Sequence, residues 1–176
     1  MMDIRSFDEN DPMLDEMLKL NCAVFTGFDY TSVDLEQFRS TLHKHMTYPG
    51  FVGVKAMNGD AELIGFAYGY ESRPEQFYRG KLEDQLSAEQ TKFWLSDCFE
   101  FVELAVAASA RNRGVGSKLH DALLGQALNT TSVLTTNVDN TPAIRLYKKK
   151  GWEVIGYDAP VLSDDNLQLI MAKKCR

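Results

Sequence analysis

Cysteine is scarce in this 176-residue chain: Cys22, Cys98 and Cys175 make an odd number, with no Cys-x-x-Cys pair. A disulfide scaffold is thereby excluded, and reduced thiols in a reducing compartment are expected. Histidine is as thin. His43 and His45 lie two apart, which on a helix turns them to different faces, and His120 stands alone, so no metal centre is expected. No apolar run approaches the roughly 20 residues that span a bilayer. Asp3 and Arg5 spoil a signal peptide, so the expected setting is cytoplasmic, without a membrane partner. Repeats, linkers and low-complexity tracts are lacking too. So is a broad basic face: 25 Asp and Glu against 19 Lys and Arg leave a net charge of −6, which argues against nucleic acid as the main partner.

What is present is ordinary in bulk and uneven in detail. A composition of 44% hydrophobic and 25% charged residues suits one soluble domain covering 1–176. Residues 100–152, however, hold seven cations against four carboxylates, and the acid excess lies elsewhere. That division suits an anionic ligand bound locally and a small cationic one steered to the rest.

The basic strip contains the most informative stretch, residues 99–116. An apolar run ends near Ala107, a short polar turn follows, and then comes Arg111-Asn112-Arg113-Gly114-Val115-Gly116. Ser117 opens a helical pattern in Leu119, Ala122, Leu123 and Ala127. Strand, glycine turn and helix in that order put backbone N–H groups at a helix N-terminus, which binds phosphate through unpaired donors and a partial positive charge. Gly114 and Gly116 have no Cβ to hold a bulky anion off. Arg111, Arg113 and Lys118 add cations, and no acid stands between Glu103 and Asp121. The chemistry is that of a pyrophosphate cradle.

The glycines fit neither the dinucleotide fingerprint nor a Walker loop. They read Arg-x-x-Gly-x-Gly after Glu-Leu-Ala-Val, and downstream stands Asn140-x-x-Ala143-x-x-Leu146-Tyr147-x-x-x-Gly151-Trp152. Together these motifs resemble the GNAT superfamily of N-acetyltransferases, closely over about 99–157. The resemblance implies an α/β domain with a mixed, mostly antiparallel sheet, flanked by helices on both faces and splayed near its centre to admit acetyl-CoA. It assigns that co-substrate to the backbone of Leu104, Ala105 and Val106, to Arg111, Asn112, Arg113, Gly114, Val115, Gly116 and Ser117, and to Asn140, Ala143 and Tyr147. The implied activity is transfer of acetyl from acetyl-CoA to a primary amine of a small molecule, by direct attack in a ternary complex. Acetylation of a protein N-terminus or lysine, or a non-catalytic acyl-CoA sensor, are the rivals.

Acetyl transfer needs a neutral nucleophile and a proton for the departing thiolate. An alkyl amine of pKa about 10.4 is neutral about one time in 2,500 at pH 7, so a base matters. Glu100 and Glu103 are the candidates. Three apart on a strand, they point to opposite faces unless a bulge intervenes. Tyr147 is the candidate acid. Asn140 either donates to the pantetheine arm or caps its helix. Lys148, Lys149 and Lys150 suit the helix dipole and take no catalytic part.

Around this centre the sequence predicts a strand over 4–7, a helix capped by Asp11 with Pro12 in its first turn, and a helix capped by Ser32. A hairpin of strands 51–57 and 62–70 turns at Asn58-Gly59. On the second strand Gly65, Ala67 and Gly69 form a small face suited to close helix packing. Residues 71–98 read as an insertion, with a Ser87/Gln90 capping box opening one short helix. Its aromatics would suit substrate selection or a homodimer. A helix over 117–128, a strand over 133–138, a helix ending at Gly151 and strands over 152–157 and 167–172 complete the pattern.

Overall fold

Seven strands and six helices follow one another along residues 1–176 of the computed structural model: β1 (Asp3–Phe7), α1 (Leu14–Phe25), α2 (Ser32–Met46), β2 (Val52–Met57), β3 (Leu63–Glu71), α3 (Phe77–Gln85), α4 (Ala88–Leu95), β4 (Cys98–Val106), α5 (Val115–Gln126), β5 (Thr131–Asn137), α6 (Thr141–Lys149), β6 (Glu153–Ala159) and β7 (Gln168–Lys174). Two compact units share them, Met1–Tyr70 with Val102–Ala127, and Glu71–Phe101 with Leu128–Arg176. The strand order is β1-β2-β3-β4-β5-β7-β6. Every pairing described is antiparallel except β4 with β5, which run parallel from Cys98↔Thr131 to Glu100↔Val133.

In the first unit, alternation along β3 decides which helix lies on which face. Phe66 and Tyr68 pack with Met17 and Leu18 of α1 and Leu42 of α2, joined by Phe7 and Ala105. Gly65 faces the other way. A Cβ there would stand 2.9 Å from the Ala105 carbonyl oxygen, 2.9 Å from Leu119 Cδ1 and 3.2 Å from Val115 Cγ1. The small face therefore seats the first turns of α5, as its residues suggest. Gly65→Val is expected to cost about 1–3 kcal/mol through overpacking, read as a lower urea midpoint at unchanged m-value.

In the second unit, Leu82 of α3 and Trp94 and Leu95 of α4 pack with Cys98, Val133, Ile170 and Ala172. Phe101, three residues on from Cys98, meets Tyr147 and Trp152 instead, each at a ring-centroid distance of 5.9 Å. Exposed Phe77 and Phe93 each lie beneath an ammonium group, from Lys81 and Lys174.

Three local expectations are corrected. Asp11 does not cap α1. Its Oδ1 accepts from the Met13 N–H at 2.8 Å, and its carboxylate grips the Lys55 ammonium at 2.9 and 2.7 Å. Thr31, not Ser32, caps α2, in a reciprocal box with Asp34. The hairpin turns at Asn58-Gly59 as expected, with Ala61 left-handed (φ 61°) and Asn58 Oδ1 accepting from the N–H groups of Asp60 and Glu62 across the loop. Residues 71–98 contain two helices instead of one. The Ser87/Gln90 box opens α4 as expected, whereas α3 carries the buried Arg79, paired to Glu83 at 2.8 Å, on its inner side.

Candidate functional site

The turn expected to cradle an anion contains two left-handed residues. After β4, a single 3₁₀ turn (Ala108–Ala110) leads to Asn112 at φ 62° and Gly114 at φ 79°, and α5 begins at Val115, two residues earlier than expected. Asparagine and glycine are the residues that enter this region at low cost. Gly114 is the N-cap of α5 and brings no capping side chain, and nothing lies within 4 Å of where its Cβ would stand. The first intrahelical bond is Lys118 N–H to the Gly114 carbonyl, at 3.1 Å. The N–H groups of Val115, Gly116 and Ser117 therefore have no acceptor within the helix. Arg111, Arg113 and Lys118 are exposed around them, Ser117 half-buried. This donor set fits a diphosphate. Just upstream, the Ala107 N–H bonds the Ile64 carbonyl at 2.9 Å, anchoring the end of β4, whose Leu104 and Val106 are half-buried and Ala105 buried.

The two carboxylates separate clearly. Glu103, in the first unit, is half-buried, and burial raises its pKa to about 7, with the Asn21 amide drawing it partly back. Tyr68, fully buried nearby, feels the Glu103 charge. Burial first and that charge second push its phenol well above its ordinary value. The Tyr68 hydroxyl is 2.9 Å from His45 Nδ1, and burial, assisted by Lys44, lowers His45 to about 4. Glu100, in the second unit, is only 3% exposed. Its charge, after burial itself, raises the Cys98 thiol, which Arg79 counteracts. Burial raises the Cys22 and Cys175 thiols as well. None of the three is prepared as a nucleophile.

Tyr147 and Asn140 both belong to α6. Asn140 Oδ1 accepts from the Ala143 N–H at 3.3 Å, with Pro142 in the first turn, so the capping role is real. At the far end Gly151 takes φ 89°, the Trp152 N–H reaches the Tyr147 carbonyl at 3.0 Å, and the Gly151 N–H reaches that of Lys148 at 3.1 Å. This is the six-to-one and five-to-two pairing of a Schellman motif, and its usual hydrophobic partner contact is Tyr147 against Trp152. Tyr147 is 7% exposed, its ring held between Trp152 and the edge of Phe101.

Sequence reasoning passed over Asn21, Tyr68 and His45. A signal existed for the first: a polar side chain interrupts the buried run Met17, Leu18, Asn21, Cys22 of α1.

No protein of curated function matches the chain. Among solved structures, it is similar to PH1933 from Pyrococcus horikoshii OT3 (19% identity, TM-score 0.72, covering 99% of this chain and 98% of that one). It is similar also to ribosomal-protein-alanine N-acetyltransferase from Brucella melitensis (23%, 0.69, 98% and 99%) and to aminoglycoside 6'-N-acetyltransferase complexed with coenzyme A (19%, 0.67, 99% and 97%). At these identities the likeness is one of fold. The sequence profile of the acetyltransferase (GNAT) family matches residues 14–152, and the chain belongs to that family.

Proposed function

We propose that this N-acetyltransferase moves the acetyl group of acetyl-CoA to a primary amine of a small, cationic molecule, by direct attack in a ternary complex, acting as one domain over 1–176. Acetyl-CoA is the family's co-substrate. The turn from Arg111 to Ser117 binds its diphosphate, the backbone of Leu104 to Val106 orients its acyl arm, and Asn140 and Ala143 contribute from α6. Glu103 takes the proton of the ammonium, and Tyr147 supports the departing thiolate.

The observation that carries this reading is the position of Glu103 on β4, half-buried and raised to about 7. An alkyl ammonium of pKa about 10.4 loses its proton to such a carboxylate across a gap of roughly three units, where an ordinary carboxylate would face roughly six, at about 1.4 kcal/mol each. An α-ammonium near 7.8 faces a gap of about one. Glu100, almost fully enclosed, suits the role less well. An ordinary phenol, of pKa about 10, giving its proton to a thiolate of pKa about 8.5 is uphill by roughly 2 kcal/mol, so a tyrosine in this role assists the departure rather than drives it. Three thiols raised by burial leave no candidate for an acyl-enzyme, which favours direct attack.

Thiol release from acetyl-CoA across polyamines, aminoglycosides and short peptides tests the reading. Turnover is expected with the polycationic small molecules, with intersecting initial-velocity lines as both substrates are varied. Preferential turnover of peptides would transfer the function to protein acetylation. Saturable acetyl-CoA binding without turnover of any amine would indicate a sensor.

A further inference from the structure

Asn21 is an expensive residue in its place. It lies on the sheet-facing side of α1 with Met17, Leu18 and Cys22, is 7% exposed, and its Nδ2 has no hydrogen-bond partner. A buried donor left in that state costs about 1–3 kcal/mol, and an apolar side chain of the same size would avoid the cost. Glu103 stands two residues from Ala105 along β4, and Ala105 packs with Met17 and Leu18 of α1, so the Asn21 amide bears on the Glu103 carboxylate, although its Nδ2 makes no hydrogen bond of full geometry.

We propose that Asn21 is a positioning residue for Glu103, its Nδ2–H closing onto the carboxylate when Glu103 ionises and releasing it when Glu103 takes up a proton. The inference rests on Glu103 serving as the base. The amide then stores no idle cost: the ionised carboxylate is a stronger acceptor than the neutral acid, so the bond is made most firmly in one protonation state of its neighbour. A donor engaged more strongly by the ionised form favours that form, so Asn21 keeps part of the Glu103 population ready to accept a proton at neutral pH.

The other titratable groups on this side leave the assignment clear. From α1 comes Cys22, whose thiol burial raises; from β3, Tyr68, raised well above 10; from α2, His45, lowered to about 4, with Lys44 beside it. From β2 comes Lys55, paired with Asp11. The shifted groups move away from neutral pH, His45 downward and Cys22 and Tyr68 upward, and a titration that Glu103→Gln removes belongs to Glu103.

The test compares the full-length wild type with Asn21→Leu, which matches the volume without the donor, and with Asn21→Ala should the first fold poorly. The Glu103 Cδ resonance is followed against pH by ¹³C NMR, with Glu103→Gln identifying it, and kcat/KM is measured over the same range. Removing the donor is expected to raise both the Glu103 titration and the acid limb of kcat/KM by about one pH unit. Acetyl-CoA affinity should not change, and Tm should hold or rise in Asn21→Leu. A Glu103 titration that stays put in both variants overturns the proposal. A resonance that moves beside an activity limb that does not removes Glu103 from the base's role, and Asn21 from catalysis with it.

Discussion

Glu103→Gln lowers kcat/KM by about 10²–10⁴, the usual contribution of a positioned general base, and leaves acetyl-CoA affinity within about twofold. The pH profile is the sharper measurement. With Glu103 at about 7, wild-type kcat/KM falls tenfold per unit below that pH, because only the ionised carboxylate accepts a proton. The variant has no such limb. A limb that survived the substitution would belong to another group and remove Glu103 from the mechanism. Stability moves the opposite way. The folded-state value lies above the ordinary 4.5, so the group's stabilising contribution is complete below 4.5 and is lost as pH rises through 7. The glutamine variant is therefore expected to gain on wild type in thermal melts at pH 8 relative to pH 5.

Tyr147→Phe lowers kcat by about 10²–10⁴ without abolishing acetyl-CoA binding. The ring survives the change, so its contacts with Phe101 and Trp152 and the cap at Gly151 persist, and Tm should shift by no more than a few degrees. Tyr147→Ala separates the hydroxyl from the ring. Loss of a buried aromatic is expected to cost about 3–5 kcal/mol, so that variant fails in the melt as well as in turnover. Undiminished turnover in the phenylalanine variant would reduce Tyr147 to a packing residue.

What could be read from the sequence was local chemistry. The Asn140 cap with Pro142 and the Gly151 stop each depend on backbone needs expressed within about five residues, so the ends of α6 were legible. Where two neighbours could both cap, as at Thr31 and Ser32, the reciprocal acid three residues on decides, and Asp34 selects Thr31. Asp11 was misread because a distant cation, Lys55, claims its carboxylate. Helix α3 escaped notice because an arginine closes part of the face where apolar periodicity would be sought. The same limit hid the surroundings of Glu103. Nothing in Phe-Val-Glu-Leu says that an amide from α1, a phenol from β3 and an imidazole from α2 stand on that side. Burial, which tunes the carboxylate, is set by these distant pieces and not by its sequence neighbours.

The missing side chain at Gly65 gives the enzyme a hidden calibration point. Val115 and Leu119, which would collide with any atom added there, belong to the opening turns of the helix proposed to receive the diphosphate, while Ala105, the third collision partner, lies on the strand that carries Glu103. On the proposed assignment a methyl group grafted at that spot touches neither substrate, yet it would pry the phosphate grip away from the strand that orients the acyl arm. Lesions there should surface as a weakened appetite for the donor, with the chemistry of the amine intact, so that a residue with no side chain works as the spacer of the catalytic gauge.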